Sequence, residues 1–400
     1  MTPVLRRRIL FAALYFSEGA PIGFLWWALP TRLRAAGVEL SDITALLAAL
    51  ALPWAFKFLA APFIDILRTP RWPLRAWIAS CQIAMGLCLV PALVLDWRAD
   101  FATIAALLLV HAIAAAGQDA AVDAYALAIV APDQRGAINA SMQAGVLTGR
   151  ALFGGGALLL EARIGPNATI ALLIGAVWAS LAMLLIAGEA EPARPPASFA
   201  ARRGEFQSAL ADVLRLRSTW LVLGFAAIGG AGFESVGLLV GPYLLDRGVS
   251  QDQIGAFLFL PTVVAMMAGA GAAGWFADRL DRRRVAGGAV VLIAIVIFTL
   301  AMLPSAAMWG TFALLTTIYF LIGVLTTTSY ALFMDLTDRR LGATQLSAAM
   351  SATNLCESWS GLTSGRLAAA LGYGPAFTWM ALASLLALPL LWMMPKARSS

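Results

Sequence analysis

The sequence predicts an all-α membrane protein with twelve transmembrane helices in two pseudo-symmetric six-helix bundles, and three observations carry that prediction. Of the 400 residues 61% are hydrophobic and only 12% charged, a charged share about half that of ordinary globular domains, which excludes a soluble enzyme. Residues 164–188, 285–334 and 367–395 contain no Asp, Glu, Lys or Arg, and each run is long enough to span about 30 Å of hydrocarbon. The apolar runs are rich in Ala, Leu and Gly and lack strand-like alternation, so helices rather than a closed barrel satisfy the backbone.

In order, hydropathy places the spans at 9–31, 42–64, 75–96, 101–125, 138–160, 167–188, 219–245, 252–275, 285–304, 307–334, 342–368 and 373–395. The first follows Arg6, Arg7 and Arg8, but Glu18 interrupts its apolar run and no small-residue cleavage site follows, so it reads as a retained span and not a signal peptide. Within it, Gly19, Pro21 and Gly23 are expected to loosen the helix. The second carries Lys57, and the fourth His111, Asp119 and Asp123. The fifth contains Arg150 and the run "GRALFGGGALLL", which lacks the Lys-Ser/Thr of a phosphate loop and predicts close helix packing. Small residues in "AGAGAAGWFAD" predict the same for the eighth. The seventh carries Glu234 and the eleventh Glu357, Trp359 and Arg366; Pro304 divides the ninth from the tenth.

Charge outside the spans sets the orientation. The side that holds both termini carries 20 of the 28 Lys and Arg residues and the other side five, which predicts cytoplasmic termini. The arginines sit in short loops and not along one face, so the net charge of +6 does not indicate nucleic acid. Cys81, Cys88 and Cys356 all lie in apolar segments and imply no disulfide framework.

The polar, Pro-rich stretch 189–217 reads as a cytoplasmic linker between a bundle at 1–188 and a bundle at 218–400. An internal repeat supports that division: "YALAIVAPDQRGA" at 125 matches "YALFMDLTDRRLGA" at 330, and Pro30, "GV" at 37 and Asp65 are echoed by Pro242, "GV" at 248 and Asp278. Two like halves of six spans follow the parallel-repeat plan of major-facilitator transporters. "GWFADRLDRRR" at 274–284 resembles the G-x-x-x-D-R-x-G-R-R loop of that superfamily, with Asp281 in place of the second glycine; "APFIDILRTPR" at 61–71 keeps Asp65 and some arginines but departs from the pattern. "PWAFKFLAAPFID", "GQDAAVDAY" with "PDQRGA", and "RRLGATQLSAAMSA" resemble its AmpG branch, which includes muropeptide permeases, acetyl-CoA carriers and siderophore importers. The resemblance implies alternating access around a cavity built from spans 1, 4, 7 and 10, and a cytoplasmic gate formed by Asp65, Asp278, Arg279, Arg282, Arg135 and Arg340.

Ionisable residues inside the spans are the candidates for function, because each costs roughly 2.5–3.5 kcal/mol at the bilayer centre on insertion scales. Glu18 lies about 15 Å into its span at about 1.5 Å per residue, and Asp119 and Asp123 share a face one turn apart. Glu18, Lys57, Asp119, Asp123 and Arg150 make an acidic and basic set in the first half; Glu234 and Glu357 are acids without a deep base in the second. These seven are expected to couple protons or bind substrate, with Trp27, Tyr125, Tyr330 and Trp359 as cavity aromatics. The structural alternative for Asp119 and Asp123 is pairing with Lys57 or Arg135, for Lys57 a packing-level salt bridge, for His111 a core hydrogen bond, and for Trp26 and Trp27 an interfacial belt. One histidine and no metal-ligand spacing predict no metal, no cofactor and no enzymatic role. The expected protein is a monomeric, lipid-embedded secondary transporter of the bacterial inner membrane that imports a small molecule, muropeptide-like or siderophore-like, with protons. An efflux pump of the same fold, a polytopic enzyme and a receptor are the alternatives.

Overall fold

The computed structural model describes residues 3–59, 64, 69, 72–131, 134–191, 204, 207–208, 210–212, 214–277, 280–304, 307–336 and 342–395. Among the described residues ten helical segments are long and apolar enough to cross a membrane: α1 (Val4–Ala35), α2 (Leu40–Leu59), α3 (Leu74–Leu93), α4 (Phe101–Ile129), α6 (Pro166–Ala187), α7 (Arg217–Leu245), α8 (Gln251–Phe276), α9 (Arg282–Met302), α10 (Met308–Leu336) and α12 (Tyr373–Met393). The remaining two spans are helical as well. Of these, α5 breaks at Gly154 into Arg135–Phe153 and Gly155–Ile164, and α11 (Gly342–Leu371) is a continuous helix of 30 residues with many Ser and Thr.

The chain falls into two units, one of Met1–Val38, Phe56–Gly204 and Ser250–Phe259, the other of Glu39–Ala55, Glu205–Val249 and Leu260–Ser400. The second helix of each half, α2 and α8, is therefore divided at its own interruption, near Phe56 and at Leu260.

In the first unit α1 and α5 share the closest seam. A Cβ on Gly19 or Gly23 would fall onto the carbonyl oxygens of Val146 or Arg150, and one on Gly145 onto that of Ala12, so only hydrogen fits and the backbones approach closely. The glycines of α1 thus serve packing rather than bending. Its irregularity lies further on, in a π-helical turn at Phe24–Ala28 where the Leu29 N–H reaches back to the Phe24 carbonyl. Pro30 explains the turn: it lacks an N–H and its ring crowds the preceding turn, and the Thr31 hydroxyl donates to the Trp27 carbonyl at 3.1 Å. The Gly-rich run of α5 also packs closely, with Gly155 against the backbone of Gly255 and Phe259.

The "GV" echoed in the sequence is a repeated turn. Gly37 and Gly248 both adopt positive φ, 81° and 85°, and after them Val38 donates to the Leu33 carbonyl and Val249 to that of Leu244, the six-to-one bond of a glycine-terminated helix. Gly165 and Gly372, at the starts of α6 and α12, form a second such pair with φ of 83° and 87°.

At the end of α6 Arg7 forms a two-pronged ion pair with Glu189, at 2.7 and 2.8 Å, which holds the Glu189 carboxyl below the ordinary carboxylate range. The Tyr125 hydroxyl donates to the Glu189 carbonyl and accepts from its N–H. In the second unit Asp281 caps α9, accepting from the Arg283 N–H at 2.8 Å, and Arg283 holds its carboxyl low. That cap is a physical reason for an aspartate where the superfamily loop has glycine.

Candidate functional site

The first unit gathers the five ionisable residues singled out in the first half. Asp119 and Asp123 are one turn apart on α4, and Lys57, in the continuation of α2 beyond Pro53, donates to Asp119 Oδ2 at 2.9 Å. Both side chains are largely buried, 12% and 5% exposed. Asp123 is exposed and accepts a short hydrogen bond from the Tyr15 hydroxyl of α1. Glu18, one turn further along α1, is 8% exposed, and its Oε2 is buried with no hydrogen-bond partner. Asp119, Lys57, Asp123 and Arg150 are its electrostatic neighbours. Arg150, on α5, places its guanidinium 5.7 Å from the centre of the Trp27 ring, and its Nε is buried with no acceptor.

Beneath this cluster lies a neutral network. Ser17 accepts from Gln82 at 3.0 Å and from Gln118 at 3.2 Å, and donates to the Leu14 carbonyl at 2.7 Å. Gln82 also donates to Ser180 at 3.1 Å, which ties α1, α3, α4 and α6 together. The cluster therefore rests on helices whose relative positions are fixed by directional bonds as well as packing.

Several predicted residues lie elsewhere. Tyr125 is fully buried against Phe11 and pinned to Glu189, so its ring faces no open space, contrary to its reading as a cavity aromatic. Trp27 is 7% exposed beneath Arg150, and the lone His111 is buried with Nδ1 paired to the Met85 carbonyl at 2.9 Å. In the second unit Glu234 and Glu357 are half-buried and both act electrostatically on Cys356. Trp359 donates to the Ala227 carbonyl at 2.7 Å, while Tyr330 is 38% exposed. Arg282 pairs with Asp335 at 2.6 Å. Of the other gate residues, Asp65, Asp278, Arg279 and Arg340 lie outside the described residues, as does the side chain of Arg135.

Sequence reasoning missed Tyr15, although it lies three residues before Glu18 and so shares its face. It also missed the pair of Arg32 and Glu161, 3.3 Å apart with both side chains under a tenth exposed. There the Arg32 guanidinium lies 4.0 Å from the centre of the Trp97 ring. The signal was present: Glu161 interrupts an apolar helix at the level where Arg32 ends another.

A model of the Major Facilitator Superfamily matches residues 9–365 of the chain. The fold is similar to the crystal structure of a D-xylose-proton symporter, with TM-score 0.79 and 13% identity over 99% of both chains. It is also similar to the nucleoside transporter NupG, with TM-score 0.75 and 12% identity over 99% of this chain and 100% of that one. The inward-open xylose transporter XylE from E. coli gives 0.73 and 12% over 99% and 98%.

Proposed function

The chain belongs to the major facilitator superfamily, and from that premise we propose that it is a proton-coupled secondary transporter whose coupling site is the charged cluster of the first unit. The observation that carries this reading is the convergence of three carboxylates and two cations from α1, α2, α4 and α5 in apolar helices. Such groups are expensive to embed and are kept where charge or protons must move. Protonating a carboxylate there changes which ion pairs form, so the cluster converts a proton gradient into a change of helix contacts.

The cargo is a small organic molecule, with muropeptide-like and siderophore-like compounds favoured by the AmpG-like motifs. Import into the cell is the direction those motifs favour, with the bundles at 1–188 and 218–400 as the bodies that alternate access. The protein acts as a monomeric carrier, not an enzyme, in a bacterial inner membrane with both termini cytoplasmic. The arginine-rich ends of the spans support that orientation. Arg282, Asp335 and the loop residues around them belong to the cytoplasmic gate.

The test is uptake by proteoliposomes under an imposed pH gradient, with a labelled anhydro-muramyl peptide and a labelled ferric siderophore as probes. Accumulation of either that collapses on adding a protonophore is the expected result. Accumulation undiminished by the protonophore refutes proton coupling.

A further inference from the structure

With all five groups ionised, the first-unit cluster carries three negative charges against two positive, so one proton neutralises it. The partners indicate where that proton resides. Asp119 is held by the Lys57 ammonium and Asp123 by the Tyr15 hydroxyl, whereas Glu18 has a buried oxygen that no donor reaches. A buried ionised carboxylate without a donor costs several kcal/mol and escapes that cost by taking up a proton. The other groups around Glu18 are Lys57 from α2 and Arg150 from α5, with Tyr15 on its own helix; α3 and α6 bring the neutral Gln82 and Ser180.

The same accounting leaves one cation unmatched. Arg150 has no carboxylate within ion-pair distance among the described residues, and its Nε lacks an acceptor. Two helix irregularities shape its surroundings. The π-helical turn of α1 carries Trp27, and the break of α5 at Gly154 makes room for it, since a Cβ there would lie 2.6 Å from the Trp27 ring. Irregular turns of this kind re-aim side chains at the expense of regular hydrogen bonding, and here both bear on a guanidinium without a partner. A guanidinium presents a planar fork that matches a carboxylate.

We propose that Glu18 and a carboxylate or similar anionic group of the cargo compete for Arg150. When Glu18 is protonated, Arg150 and Trp27 seat the anionic group. When Glu18 gives up its proton, its carboxylate takes the guanidinium and the cargo anion leaves. One proton taken up at Glu18 thus accompanies one anionic group, with no other bond made or broken. The proposal rests on the transporter reading of the same cluster and adds to it the titrating residue, the stoichiometry and the charge class of the cargo.

Infrared difference spectroscopy of the reconstituted protein tests this without any transport measurement. A pH jump should reveal one protonated-carboxyl band that is lost in Glu18→Gln at every pH and that persists in Asp119→Asn and Asp123→Asn, where it emerges only at lower pH because a neighbouring negative charge is gone. Thiocyanate, an anion with its own infrared band and an affinity for guanidinium groups, serves as the probe for the seat. Wild type should bind it at Arg150 only while the carboxyl band is present, Glu18→Gln should bind it across the whole pH range, and Arg150→Gln should lose that component. Glu18→Gln keeps the arginine, so the loss of pH dependence is readable even if Arg150→Gln fails to fold. A carboxyl band that survives in Glu18→Gln, or thiocyanate binding in wild type that ignores pH, overturns the proposal. If instead these spectra behave as described while uptake ignores the protonophore, the proton-coupling reading fails and the exchange at Arg150 stands.

Discussion

Breaking the ion pair of Lys57 and Asp119 from one side should destabilise the protein far more than removing it from both. At the 2.9 Å separation of Lys57 Nζ and Asp119 Oδ2, the gross attraction is about 6 kcal/mol with an effective dielectric constant of about 20. Most of that is offset by the cost of taking both charges out of water, so the intact pair contributes little net stability. Asp119→Asn, however, leaves the Lys57 ammonium with 12% exposure and no ion-pair partner at that distance, and Lys57→Met does the same to a carboxylate with 5%. Each single change should cost about 3–5 kcal/mol, while Lys57→Met with Asp119→Asn should lie within about 1–2 kcal/mol of wild type. Equilibrium unfolding in mixed micelles, followed by tryptophan fluorescence, measures all four corners of the cycle. A double variant that loses as much as the sum of the singles would refute the reasoning, because the two residues would then act independently. Transport should be lost in all three variants if the pair also participates in coupling.

Two further predictions concern packing and the α6 terminus. Gly19→Val should destabilise by more than the roughly 1–3 kcal/mol of ordinary overpacking, because the new Cβ meets the Val146 backbone and not a movable side chain; a folded variant with an unchanged unfolding midpoint in the same micelle assay would contradict the seam. The Arg7 and Glu189 pair makes stability depend on pH in one direction: the Glu189 carboxyl is held low in the folded protein, so its contribution is present above the ordinary carboxylate range and is lost as pH falls through the depressed value. Arg7→Gln should flatten that acid limb in thermal melts, and an identical pH profile for variant and wild type would count against the pair.

The spans were legible because lipid imposes one rule on every helix that crosses it, and the charge-free runs satisfy that rule without help from neighbours. The repeated "GV" was legible for a similar reason: a glycine that ends a helix in the left-handed region leaves a mark at its own position. What the sequence could not show is which faces meet. Period-3.6 reasoning put Asp119 and Asp123 on one side of α4, yet whether Lys57, Arg135 or Arg150 would face them depends on how α2 and α5 are rotated, and rotation is set by contacts distant in sequence. Tyr125 shows the same limit: the backbone of Glu189, just beyond α6 and 64 residues away, claims its hydroxyl, a partner that nothing around it in the sequence reveals.

The helix α11 shows how to separate polar residues that maintain the fold from those that act. It is less apolar than a typical span, and several of its polar groups serve backbone at interruptions in its neighbours. Asn354 donates to the Trp54 carbonyl beside Pro53 in α2, at 3.2 Å, and Ser358 to the Ala48 carbonyl at 2.7 Å. Trp359 donates to Ala227, just before the break in α7 at Gly229 and Gly230. Where a helix is interrupted inside the membrane, a carbonyl left over there needs another donor, and α11 supplies donors beside the interruptions of α2 and α7. Trp359, expected to line a cavity, therefore already has a structural task. By the same accounting Lys57 and Asp119 balance each other, and Asp123 is answered by Tyr15. The imbalance falls on Glu18 and Arg150, from helices packed backbone to backbone along the glycine seam. Two opposite charges that could pair but leave buried atoms unanswered form an arrangement that one proton or one anion is enough to tip.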